Sequence, residues 1–140
     1  MAQDLRIITT GGTFDKQYDA VKGELTFRES QLPRILGQAR CTLTVHLEGP
    51  LAVDSLYMTE EQRGETARVI AKKDINKTIV STGAMTPYSL EGSDAVFNLD
   101  SAISTVQLLE PGVYITMSGR TFPWDNCQKD PNKGIFISIR

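Results

Sequence analysis

Leu5-Arg6-Ile7-Ile8-Thr9-Thr10-Gly11-Gly12-Thr13-Phe14-Asp15-Lys16 decides how this chain is read. A short apolar run breaks into a glycine pair that ends on a hydroxyl. The pattern predicts a buried strand over residues 5–10 with a turn after it. Gly11 and Gly12 permit positive φ and a close approach of backbone to a ligand. Thr13 then stands at the carboxyl end of a strand, where open α/β sheets bind their ligands. A threonine hydroxyl placed there is a nucleophile once a base activates it.

Working outward, strand signals alternate with helix signals. Residues 11–25 are polar and glycine-containing and read as a mobile loop. Ser30 is placed to cap a short helix over 31–36 that Gly37 ends. Residues 41–47 alternate and are β-branched, which predicts a second strand. Thr59-Glu60-Glu61-Gln62 has capping-box spacing. It opens a helix that carries Arg68, Lys72 and Lys73 near its end, where the macrodipole favours cations. A short apolar run at 77–81 predicts another strand. In 94–109, Ala95, Leu99, Ala102, Ile103 and Val106 share one helical face. Pro111-Gly112 marks a turn, 113–117 a strand, and 134–139 a further one. The expected architecture is α/β: one domain over 1–140 with an open, mostly parallel sheet flanked by helices.

Composition narrows the function. The chain has 140 residues, 40% hydrophobic and 23% charged, an ordinary globular balance. A net charge of −2 supplies no broad basic field, so nucleic acid is not an expected partner. No apolar stretch is long enough to span a bilayer, and no membrane role is expected. The start, Met1-Ala2-Gln3-Asp4, lacks a basic-then-apolar leader layout. Cys41 and Cys127 lie far apart without metal-ligand spacing, so reduced thiols, a cytoplasmic setting and no metal are expected. His46, the single histidine, sits in an alternating strand, where an outward-facing or satisfied ring is the simpler reading than a catalytic one.

Four separated segments carry a resemblance. They are Thr10-Gly11-Gly12-Thr13, Asp54-Ser55-Leu56-Tyr57-Met58-Thr59, residues 77–87 (Lys77-Thr78-Ile79-Val80-Ser81-Thr82-Gly83-Ala84-Met85-Thr86-Pro87), and Asp94-Ala95-Val96-Phe97-Asn98-Leu99. In this order and spacing the chain resembles the N-terminal domain of bacterial-type L-asparaginases and glutaminases, over about residues 5–136. The compact loop 13–18 looks most like the short-form bacterial L-asparaginases. The resemblance implies an amidohydrolase that cleaves the side-chain amide of L-asparagine, with some L-glutamine, through a threonine nucleophile and an acyl-enzyme. It implies Thr13 as nucleophile, Tyr18 as its loop tyrosine, and Lys77 as the lysine of a second Thr-Lys-Asp group. It implies that Ser55 holds the substrate α-carboxylate and that Gly12 and Ala84 line the site. No cofactor is implied, and a homodimer or higher homo-oligomer is.

Chemistry supports these residue types. A threonine hydroxyl needs a group to take its proton, which a tyrosine or a lysine of lowered pKa can do. A developing oxyanion needs fixed donors, such as glycine-rich backbone at a strand end.

One departure stands against the match. The family carries a block reading roughly His-Gly-Thr-Asp-Thr before this lysine, and residues 66–77 contain none. Three histories fit: a segment missing from the sequence, a deliberate deletion, or a natural variant without activity. The alternative functions are therefore a catalytically silent amino-acid-binding domain and a structural oligomer-forming unit. Phe122 and Trp124 read as exposed apolar residues suited to such an interface.

Overall fold

The computed structural model describes residues 4–9, 12–27, 29–48, 71–73 and 75–140. Strand β1 (Asp4–Ile8) and strand β4 (Thr44–Glu48) pair in parallel, Asp4 opposite Thr44. Along β1, Leu5 and Ile7 are half-buried while Asp4, Arg6 and Ile8 face out. The outward face carries Arg6–Glu48 at 3.2 Å and His46–Asp4 at 3.6 Å, exposed pairs that contribute little. His46 is thus a surface residue, as its place in the strand suggested.

Of residues 11–25, expected as a loop, the described 12–25 form a turn and a hairpin. Gly12 leads into a 3₁₀ turn, Thr13–Asp15, and then a hairpin of β2 (Lys16–Asp19) and β3 (Glu24–Phe27). Asp19-Ala20-Val21-Lys22-Gly23 closes it. The Asp19 carboxylate accepts the amides of Val21 and Lys22, and Gly23 donates to the Asp19 carbonyl at φ +69°. Asp130-Pro131-Asn132-Lys133-Gly134 repeats this device between β8 (Gln128–Asp130) and β9 (Ile135–Ile137), with Gly134 at φ +63°. The aspartate satisfies amides that a tight turn leaves open, and glycine takes the left-handed step.

Helix α1 (Leu32–Gln38) has Pro33 in its first turn, where a missing N–H costs nothing. It starts one residue later than expected and runs through Gly37. The second strand likewise begins at Thr44 rather than at 41. The helix expected to open at Thr59 lies outside the described residues except at its end, where 71–72 are helical.

Strand β5 (Thr78–Ser81), helix α2 (Ala95–Leu108) and strand β6 (Gly112–Met117) form a βαβ unit with β5 and β6 parallel. Strand β7 (Arg120–Pro123) returns antiparallel to β6 across the two-residue turn Ser118-Gly119. Both turn residues have positive φ, which suits the right-handed strand twist. At Gly119 the Phe97 ring lies so close that an added Cβ would meet it at 3.2 Å. Among the described residues the two ladders joined by crossovers are parallel, and the three hairpin ladders are antiparallel.

The core joins α1 to α2. Leu32, Ile35 and Leu99 are buried together, with Ile7, Phe14, Leu36, Tyr88 and Ile103 packed against them. The α2 face drawn from periodicity is the buried one at Ala95, Leu99 and Ala102. Phe122 is not exposed. It is 5% accessible on β7, while Arg120, Thr121 and Pro123 are exposed. Trp124 is half-buried.

Candidate active site

Thr13 sits in a turn pinned by the residues that follow it. Phe14, the next residue, packs against the core. Asp15, after it, is buried. Its carboxylate accepts the Ser30 hydroxyl at 2.8 Å and the Gln31 amide at 2.9 Å. Ser30 in turn accepts the Leu32 amide at 3.3 Å. Two side chains outside the helix thus serve amides at its start. Ser30 does meet the helix start, but Asp15 shares the task across sixteen residues of chain. Thr13 itself is half-buried, and its carbonyl accepts the Lys16 amide. Gly12 does not use its freedom: at φ −82° and ψ −177° it is extended, and its carbonyl accepts the Asp15 amide.

Tyr18 lies on β2, 60% accessible, opposite Leu25 on β3. Ser55 lies outside the described residues.

Ala84 belongs to the loop that leaves the carboxyl end of β5. A polar knot holds this loop. Asn98 is fully buried on α2. Its amide nitrogen donates to the Gly83 carbonyl and to Asp94 Oδ2, both at 2.9 Å. Its oxygen accepts the Ser118 amide at 3.0 Å. The Thr82 hydroxyl donates to the Thr116 carbonyl at 2.8 Å. The carboxyl ends of β5 and β6 are thereby tied to one helix. Asp94 accepts the Met85 amide on both oxygens at 3.0 Å and the Thr86 amide at 2.9 Å. Partial burial opposes its charge. The amides of Met85 and Thr86, with its own amide and Asn98, outweigh that and hold the carboxyl below the ordinary aspartate range.

The two loops meet. The Tyr88 amide donates to the Phe14 carbonyl at 3.1 Å, and the Ser89 hydroxyl donates to the Lys16 carbonyl at 2.6 Å. The Thr13 turn and the Ala84 loop follow the carboxyl ends of β1 and β5, and these bonds join them.

Lys77 is elsewhere. It precedes the amino end of β5, is exposed, and its carbonyl accepts the Gly112 amide. The four residues of β5, roughly 13 Å of chain, separate it from the loop that carries Ala84. An open cavity of about 410 Å³ lies at that amino end, lined by Ala71, Ile75, Ile79, Pro111, Val113 and Trp124 among others. Both cysteines are free and half-buried, and burial pushes the Cys127 thiol up.

Asp94 and Asn98 were not singled out from sequence for any site. Asp94 directly before a helix signals a cap, yet its side chain serves the preceding loop instead of the helix.

The comparisons bear on this arrangement. The family described as asparaginase, N-terminal, matches residues 65–134, half of the chain. The chain belongs to the asparaginase family. The stretch matched includes Lys77, Ala84, Asp94 and Asn98, and lies beyond Thr13, Tyr18 and Ser55. Solved asparaginases share the fold around both halves. The thermostable L-asparaginase from Thermococcus kodakarensis superposes with a TM-score of 0.71 at 19% identity, covering 98% of this chain and 51% of its own. L-asparaginase I from Vibrio cholerae O1 biovar eltor gives 0.70 at 15% identity, covering 99% and 52%. A probable cytoplasmic L-asparaginase from Campylobacter jejuni gives 0.64 at 20% identity, covering 90% and 48%. The chain therefore spans about half the length of these asparaginases. No curated protein sequence matches it. Among the described residues no helix is long and apolar enough to cross a membrane.

Proposed function

We propose that this chain carries the nucleophile-bearing part of an amidohydrolase site for the side-chain amide of L-asparagine, with some L-glutamine accepted. The observation that carries the reading is the Tyr88–Phe14 backbone bond. It joins the turn of Thr13 to the loop of Ala84 at the carboxyl ends of parallel strands, the place such folds use for ligands. The Thr13 Oγ attacks the amide carbon, the carbon–nitrogen bond breaks, and ammonia leaves with the hydroxyl proton. Water then cleaves the Thr13 ester and releases L-aspartate and the free hydroxyl. Tyr18 takes and returns the proton. Its exposed place on the β2–β3 hairpin lets that hairpin bring it over a bound substrate. Gly12 and Ala84 line the site, and Ser55 holds the α-carboxylate. The reaction needs no cofactor. The assembly is a homo-oligomer in the cytoplasm.

Lys77 takes no part in this scheme, because β5 separates it from the loop of Ala84. That separation, with no Thr-Asp block in residues 66–77, favours a second reading: an amino-acid-binding domain without turnover. Ammonia release from L-asparagine, beside calorimetry with L-aspartate, separates the two. Release that vanishes in Thr13→Ala supports the enzyme. Binding without release in the unaltered chain supports the silent domain, and neither binding nor release removes both.

A further inference from the structure

We infer that Asp94 is a positioning residue that makes the Ala84 loop selective for an amide over an acid; the inference rests on the amidohydrolase reading above. A peptide unit is planar and trans, so its N–H and C=O point in opposite directions. The Met85 N–H points at Asp94, so the Ala84 carbonyl, in the same plane, points away from Asp94. The Thr86 N–H also points at Asp94, so the Met85 carbonyl faces away as well. One carboxylate therefore turns two successive carbonyl oxygens outward from α2.

Asp94 is suited to this and is itself held. An ionised carboxylate only accepts hydrogen bonds, so it imposes one direction on both amides. Its second oxygen also takes the Asn98 amide, and Asn98 grips the Gly83 carbonyl just before the loop. The Ser93 hydroxyl donates to the Thr86 carbonyl at 2.7 Å and closes the far side. Outward carbonyl oxygens accept from an NH₂ group. A carboxylate in the same place has no donor and meets lone pairs with its own charge. The loop thus favours the carboxamide substrate and releases the acid product.

The test is the ratio of L-aspartate to L-asparagine dissociation constants. Calorimetry measures it in a Thr13→Ala background, where asparagine is not consumed. Asp94→Ala lowers the preference for asparagine about tenfold, the worth of one net hydrogen bond. Asp94→Asn keeps an acceptor for the two amides and holds the ratio within about twofold, although its new nitrogen faces Asn98. If Asp94→Ala does not fold, Asp94→Ser carries the same comparison, its one hydroxyl falling short of both amides. An equal loss of affinity for both ligands, or an unchanged ratio, overturns the role of Asp94 alone. A Thr13→Ala protein that binds neither ligand removes the amidohydrolase reading itself.

Discussion

The two ends of β5 are built differently. The amino end has an exposed lysine and an open cavity beside Trp124. The carboxyl end has dense polar fixing: Asn98 without solvent contact, Asp94 on two amides, and Thr82 on the neighbouring strand. Concavity favours any ligand of fitting shape. Fixed backbone groups favour one chemistry, because they meet developing charge without reorganising. The difference teaches why the proposed site is assigned to the polar fixing, at the end where the Thr13 turn also arrives.

The largest expected effect breaks the carboxyl end at its reacting group. Thr13→Ala lowers ammonia release from L-asparagine by at least about 1,000-fold, since no other group replaces a lost nucleophile. Tyr18→Phe, in the same assay, costs about 100-fold as proton transfer is lost. Activity kept in Thr13→Ala would place the chemistry elsewhere.

Asn98→Ala breaks the same end through its support. It leaves the Gly83 carbonyl and the Ser118 amide without their buried partner, at a cost of about 2–4 kcal/mol in urea unfolding. Loss of much less would mean that water enters and takes over these bonds.

A smaller effect appears on acidification. The folded pKa of Asp94 is depressed, so its contribution is fully present above the unfolded aspartate value, about 3.9. It is lost as pH falls through the lower folded value. Below about pH 4, therefore, the unaltered chain loses melting temperature more steeply than Asp94→Asn, which does not titrate. Parallel curves would show that Asp94 is not held as described.

The least effect belongs to the amino end. Lys77→Ala changes ammonia release by no more than about twofold, as expected of an exposed side chain away from the reaction. A large loss would bring that end into the mechanism and undo the contrast.

Much of this was legible in the sequence, for reasons that differ by element. β1, β5, β6 and α2 announce themselves because burial imposes a period on their apolar residues, and Leu99 and Ala102 are buried where that period puts them. The hairpins were missed because their signals are turn signals. Asp19…Gly23 and Asp130…Gly134 share the Asp-X-X-Lys-Gly spacing, and Ser118-Gly119 is a hairpin dipeptide, but the flanking strands are short and half-exposed. Phe122 was misplaced because an aromatic beside proline in an unassigned stretch has no face until β7 pairs with β6. The knot at Asp94 and Asn98 was hidden for another reason. Its backbone partners lie 8 to 20 residues away, and backbone groups leave no mark in a sequence.

The contrast between the two ends is tested most directly by following backbone amide and tryptophan indole NMR signals of the isotope-labelled chain during titration with L-aspartate. The account predicts that Gly12, Thr13, Ala84 and Met85 shift in saturable fashion while the Trp124 indole and Lys77 stay in place. Saturable shifts at Trp124 and Lys77, with the Thr13 and Ala84 signals unmoved, would contradict it.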